Sequence, residues 1–260
     1  MDDIIKPDDY SLASYYVEAC FDNTILSNAS CFFYVYNQQI FLVTNWHVVS
    51  GRDSNTLECL SKTGGIPNNL KVYVFEKTNS EVFYPGKVWK VPLFKNDTPL
   101  WIENTNNDNN SKVDVVVIPV TVPQEVKVFP INTLEEPFNE STSVCVKDEV
   151  FVIGFPFGIK CCDLPIWKRA SIASEPLVNI NDKPILYVDT TTKPGMSGSP
   201  VVYKERRSGA LGGKNGFSRF FTKFIGVYSG RVYAENIYEA QLGIVWKASV
   251  IDELIKSKFS

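Results

Sequence analysis

An all-β fold is predicted by three features of this 260-residue chain. Short runs rich in Val, Ile, Phe and Tyr recur along its length, bounded by clusters of Asn, Asp, Gly and Pro, which is the pattern of strands and turns. Helical spacing is confined to the end, where Val250, Ile251, Leu254 and Ile255 share one face of residues 249–256. The length suits one large domain, 1–260, with two packed halves.

The elements follow in order. Residues 31–36 and 39–45 read as a hairpin turning at Asn37-Gln38. Residues 70–76, 81–84 and 100–103 continue the first half. The polar stretch 103–111 must be an exposed loop, and the β-branched run 113–120 after it reads as a buried strand that closes the half. A join is expected between Thr121 and Thr142, which hold three prolines and several acids. Residues 149–154, 168–175, 185–189, 199–203, 221–228 and 241–246 build the second half. Between two of these strands, residues 204–216 are basic and glycine-rich and read as a long loop. No internal repeat is visible.

Composition narrows the function. The 26 basic and 29 acidic side chains leave a net charge of −3 with both signs spread along the chain, so no basic block argues for nucleic acid. The first nine residues are acidic and lack an apolar core, so no signal peptide is expected. No apolar run approaches a membrane span. The six cysteines are Cys20, Cys31, Cys59, Cys145 and the adjacent Cys161 and Cys162. Without an export signal they are expected to be reduced thiols in a cytoplasmic protein. There is no Cys-x-x-Cys, and one histidine cannot build a His-rich zinc site, so neither a metal nor another cofactor is expected.

That histidine, His47, is the only one in the chain and follows the apolar run Phe41-Leu42-Val43. An imidazole titrates near neutral pH and can take and return a proton. Far downstream stands Lys193-Pro194-Gly195-Met196-Ser197-Gly198-Ser199-Pro200, a serine between glycines. Each feature alone is weak: most histidines only pack, and Gly and Ser are ordinary turn residues. Between them Asp114 opens the 113–120 strand. Alone it would read as a strand cap; beside His47 and Ser197 it reads as a functional carboxylate. The order His, Asp, Ser excludes folds that supply a serine triad in other orders, since no His follows Ser197 and no earlier Asp opens a comparable strand.

On these residues the chain resembles the trypsin-like peptidases of the chymotrypsin clan, in particular the compact bacterial branch with the HtrA-type and glutamyl-endopeptidase-type enzymes. The motifs are Thr44-Asn45-Trp46-His47-Val48-Val49, Asp114-Val115-Val116-Val117-Ile118, Ile153-Gly154-Phe155-Pro156-Phe157-Gly158 and the loop from Asp189 to Pro200. The resemblance implies two packed six-stranded antiparallel β-barrels, 15–120 and 143–248, with a C-terminal helix within 249–260, as a bare protease domain. It implies His47 as general base, Asp114 as its partner and Ser197 as nucleophile. The N–H groups of Gly195 and Ser197 would form the oxyanion hole. The primary pocket would be lined by Thr191 and Thr192, walled by Tyr228, Ser229 and Gly230, and floored near Gly243. Thr191 is not an acid, so a medium apolar or small polar side chain is expected there. Arg231, Glu235 and Glu239 could face the pocket or only solvent.

Two departures from the vertebrate pattern stand out. Met196 occupies the place of the acid that receives a newly cut N-terminus, and Val48 and Lys193 replace two disulfide cysteines. Activation by N-terminal cleavage is therefore not expected. The oxyanion loop must be set by local packing or by a partner, and an activating protein or oligomer acting on the loops around Lys193 and 204–216 is expected besides the protein or peptide substrate. Two alternatives stay open: a catalytically silent binding module, and an esterase or transacylase on the same triad.

Overall fold

A computed structural model describes residues 7–77, 84–104, 112–134, 143–160, 163–191, 193–210, 216–231 and 242–258. The first half holds strands β1 (Ser14–Phe21), β2 (Thr24–Tyr36) and β3 (Gln39–Thr44), the helical turn α1 (Trp46–Ser50), and strands β4 (Asn69–Glu76), β5 (Tyr84–Pro92), β6 (Phe94–Lys95), β7 (Thr98–Pro99), β8 (Val116–Val120) and β9 (Val126–Lys127). The second holds β10 (Glu149–Gly154), β11 (Ile166–Ile172), β12 (Ile185–Asp189), β13 (Pro200–Ala210), β14 (Gly216–Arg231) and β15 (Leu242–Lys247), then the helix α2 (Ser249–Ser257).

The second-half strands close into a six-stranded antiparallel barrel in the order β10-β11-β12-β15-β14-β13. The first half is a seven-stranded sheet, β5-β4-β1-β2-β3-β8 with β9 beside β4, which curls without closing. The all-β, double-barrel expectation holds with this difference: one closed barrel packs against a half-barrel. Prolines at Pro92, at the end of β5, and Pro119, in β8, remove ladder donors from the two strands that would have to meet.

Alternation along the strands builds two layers of core. Leu42, Val116 and Ile118 point into the half-barrel with Tyr15, Val17 and Leu70. Their neighbours Phe41, Val43 and Val117 face the other way, onto Ile153, Val202, Phe224 and Trp246 of the barrel and onto Val250, Ile251, Leu254 and Ile255 of α2. Burial on both faces explains why β3 and β8 read as unbroken apolar runs. A third cluster fills the closed barrel.

Several elements match the sequence reading closely. Asn37 and Gln38 both carry positive φ, 46° and 65°, as a two-residue hairpin turn needs. Other elements differ. Strand β1 was not expected. Residues 100–103 form no strand, only an isolated bridge from Ile102 to Val117. The described part of the expected loop 204–216 is strand: β13 runs to Ala210 and β14 starts at Gly216, and they pair residue for residue from Lys204↔Thr222 to Ala210↔Gly216. Of the expected strand 81–84, residues 81–83 lie outside the described residues, as do Cys161 and Cys162. No helix among the described residues is long and apolar enough to cross a membrane.

Candidate active site

Strand register brings the first two candidate residues together. Thr44, the last residue of β3, pairs with Val116, the first of β8. His47 lies three residues beyond the one and Asp114 two before the other, so both leave the sheet at the same edge. Asp114 is buried, its side chain 4% exposed. Its Oδ1 accepts the backbone N–H of His47 at 2.9 Å, and its Oδ2 pairs with His47 Nδ1 at 2.7 Å. The Asp114 carbonyl accepts from Asn45 Nδ2 at 2.6 Å. Asn45 is thereby drawn away from capping α1, which has no side-chain cap. A proton on Nδ1 leaves Nε2 as the lone-pair nitrogen. Burial alone would push the imidazole below its ordinary 6.5, but the charge and hydrogen bond of Asp114 outweigh it and hold His47 above that value.

A third donor reaches the carboxylate, at Oδ2. Ser229 Oγ donates to it at 2.7 Å. Strand β14 carries a bulge here: Tyr228 pairs with Val245 and Gly230 with Ile244, leaving Ser229 as the extra residue. Such a bulge re-aims a side chain. The hydroxyl expected in the pocket wall therefore points at the carboxylate.

The serine loop is built around a tight turn. The Met196 N–H donates to the Lys193 carbonyl at 3.3 Å, with Pro194 and Gly195 between and Gly195 at φ +90°. Proline second and a positive-φ glycine third are the residues a type II turn demands. A Cβ on Gly195 would stand 2.3 Å from the Phe155 carbonyl oxygen. Gly198, at φ +80°, is pressed as closely: its Cβ would meet Ser30 O at 2.1 Å and Thr44 Oγ1 at 2.5 Å.

Ser30 ties this loop to the half-barrel. Its N–H donates to Ser197 O at 2.8 Å and its Oγ to Gly195 O at 2.9 Å, while the Oγ accepts from the Phe155 N–H at 3.2 Å. Thr44 Oγ1 donates to Ser30 O at 2.9 Å. The Gly198 N–H donates to Tyr228 O, one residue from Ser229. Ser197, half-buried, is thus held next to residues that adjoin His47 and Asp114. Met196 is 1% exposed and sits in the barrel core among Val188, Val201 and Tyr228, anchoring the loop by apolar contact.

The pocket residues are partly brought together. Tyr228 is buried and its ring lies over Gly243, whose Cβ would be 2.6 Å from it. Gly230 has open space where a Cβ would be. Thr191 is exposed and follows the buried Thr190, whose hydroxyl accepts from Lys168 Nζ at 2.7 Å. Burial, then Lys193, pushes the Lys168 amine below its ordinary value. Thr192, Glu235 and Glu239 lie outside the described residues, and so does the Arg231 side chain. A cavity of about 130 Å³ opens beside His47, lined by Leu26, Asn28, Leu60 and Pro67. A larger cavity, about 720 Å³, lies elsewhere, between β5 and β8.

Sequence reasoning missed Ser30, Ser229's contact with Asp114, Lys168, Glu103 and Phe157. Phe157 is 59% exposed at φ +55°, beside the turn, and its N–H donates to Pro194 O at 2.7 Å. A bulky residue at positive φ is strained and clusters at working sites. Asn45 stood inside the quoted motif, but nothing marked its amide as a brace.

No curated protein matches the chain at a significant level. Among solved structures it is similar to the serine endoprotease from Yersinia pestis, with a TM-score of 0.52 and 15% identity over 97% of this chain and 67% of that one. That likeness shows the fold. A protein from M. tuberculosis, solved as an inactive serine-to-alanine mutant, matches over 95% of this chain and 87% of its own at 16% identity; its TM-score of 0.45 is too low to add to the argument. The model of the trypsin-like peptidase domain matches residues 29–210, which include His47, Asp114 and Ser197. The chain therefore belongs to the trypsin-like peptidase family and is, by class, a serine endopeptidase.

Proposed function

We propose that this peptidase works by a triad of Ser197, His47 and Asp114. Ser197 Oγ attacks the scissile carbonyl while His47 Nε2 takes its proton, then returns it to the leaving amine. Asp114 holds the tautomer and stabilises the charged imidazole. The N–H groups of Gly195 and Ser197 receive the oxyanion, each worth about 3 kcal/mol of barrier. Water then repeats the attack on the acyl-enzyme. The observation that carries this reading is the two-point contact of His47 with a buried Asp114, at 2.9 and 2.7 Å.

Specificity, setting and control belong to the same reading. The primary pocket, Thr191 and Thr192 with Tyr228, Gly230 and Gly243, takes a medium apolar or small polar side chain, because the Tyr228 ring over Gly243 makes the floor shallow. The bacterial HtrA-type and glutamyl-endopeptidase-type branch is the assignment within the family that the motifs favour. Free thiols at Cys20, Cys31, Cys59 and Cys145 support a cytoplasmic setting. Control falls to a protein partner or an assembly. Its target is the β13–β14 hairpin rather than the oxyanion turn, which Pro194, Gly195 and Met196 already set locally. No cofactor takes part in these steps.

The test is digestion of a peptide library by the purified full chain, with Ser197→Ala as control. Cleavage at defined bonds by the wild type, reduced to background in the variant, supports the proposal. Ester hydrolysis without peptide cleavage would make it an esterase, and cleavage surviving in Ser197→Ala would reassign the nucleophile.

A further inference from the structure

Three donors converge on one carboxylate outside the triad. Oε2 of Glu103 accepts from the indole N–H of Trp46 and from that of Trp101, the latter at 3.0 Å. Its Oε1 accepts from Lys112 Nζ at 3.3 Å. Two of these donors have telling neighbours. Trp46 immediately precedes His47, and Lys112 lies two residues before Asp114. Lys112 Nζ also stands 5.7 Å from the centre of the Trp46 ring. The Glu103 and Lys112 side chains are 27% and 17% exposed, so water competes weakly for the contact.

We infer that Glu103 is a positioning residue that holds the segment carrying His47 against the segment carrying Asp114. This rests on the proposed role of that pair. The base of the clamp is fixed: Ile102, its neighbour, bridges to Val117 in β8 through hydrogen bonds of 2.8 and 3.2 Å. The helical turn it grips has little stability of its own. α1 is a five-residue turn without a side-chain cap, too short to be stable alone. Trp46, Val48 and Val49 seat α1 in the half-barrel core, but apolar contact alone does not fix its distance from the Asp114 segment, and Glu103 supplies directed hydrogen bonds that reach both. The contact being held is demanding. His47 meets Asp114 through its backbone N–H and its Nδ1 together, so a small slip of either segment loosens both bonds at once.

The chain's single histidine makes the test clean. In Glu103→Gln, which keeps the size and one acceptor oxygen, kcat should fall about 10- to 100-fold with KM within about two-fold, the response to a small misplacement of a catalytic group. The titration of the His47 ring protons should move to lower pH, and the low-field Nδ1 proton signal should broaden. Lys112→Met should move the same readouts the same way by less, and it decides the matter if Glu103→Gln does not fold. Variants that melt earlier yet keep the wild-type kcat and His47 titration would overturn the inference and leave Glu103 a structural residue. The two readings fail separately. A wild type that neither cleaves peptides nor reacts with a fluorophosphonate, while Glu103→Gln still shifts His47, would end the triad proposal and uphold the clamp.

Discussion

Replacing Gly195 by alanine is the sharpest single perturbation of the oxyanion turn. The residue sits at φ +90°, where an L side chain costs about 1–2 kcal/mol. The new Cβ would also lie 2.3 Å from the Phe155 carbonyl oxygen, a backbone atom that cannot rotate aside. Restoring ordinary contact, 3.4 Å, moves the turn by about 1 Å. The Gly195 N–H moves with it, away from the place where the oxyanion develops. Loss of one such donor costs about 10²–10³-fold in kcat. The substrate's other contacts are untouched, so KM should change less than about three-fold while kcat takes the loss. The strain is also a stability cost, and for a chain of this size ~1–2 kcal/mol lowers the melting temperature by about 2–8 °C. The assay is steady-state hydrolysis of a peptide amide beside a melting curve. A folded Gly195→Ala enzyme with kcat within about ten-fold of wild type would refute the assignment of this N–H to the oxyanion hole.

Three further predictions follow from the same geometry. Asp114→Asn should cut turnover on the order of 10⁴-fold, the cost of losing the carboxylate that fixes the histidine tautomer. It should also move the acid limb of the residual activity: with Asp114, His47 is held above 6.5 and activity rises only as pH passes that raised value, whereas without the carboxylate burial dominates and the limb falls below 6.5. The pair's contribution to stability is full below 6.5 and lost as pH rises through the raised value, so the wild-type melting temperature should lose this increment toward alkaline pH and Asp114→Asn should not. Ser30→Ala leaves the Gly195 carbonyl and the Phe155 N–H without their buried partner, which should cost about 1–3 kcal/mol of stability and lower kcat more than it raises KM; unchanged kcat would remove Ser30 from the loop's support. Cys20, Cys31, Cys59 and Cys145 should react as free thiols after unfolding, and reductant should not lower the melting temperature; a loss on reduction would overturn the proposal of a cytoplasmic setting.

Much of this was legible in the residues, and the gaps have physical causes. Strands β3, β8, β10, β12 and β15 could be read because β-branched runs between turn residues announce buried strands. The His47–Asp114 pairing could be anticipated but not its register, since only the pairing of Thr44 with Val116 shows that both residues leave the same edge. Strand β1 was missed because Glu18 interrupts its apolar run; in the fold Glu18 is 8% exposed and takes a bond from the Tyr73 hydroxyl at 3.2 Å. The stretch 204–216 looked like a loop because its composition is basic and glycine-rich, yet in its described part, 204–210 and Gly216, cross-strand pairing overrode composition. Ser229 was assigned to the pocket from its place in the chain, and a one-residue bulge turned it to Asp114. Ser30 and Glu103 carry no sequence signal at all. Ser30 reaches Gly195 across 165 residues and Glu103 reaches Trp46 across 57, contacts that only tertiary structure assembles.

The central claim is that Ser197 is a nucleophile activated by His47. The most direct measurement is the rate of covalent reaction with a fluorophosphonate, with the labelled residue located by mass spectrometry. Reaction at Ser197 alone, slowed by orders of magnitude in His47→Ala and absent in Ser197→Ala, is the predicted result. Labelling at another residue, or labelling at Ser197 that is indifferent to His47, would contradict it.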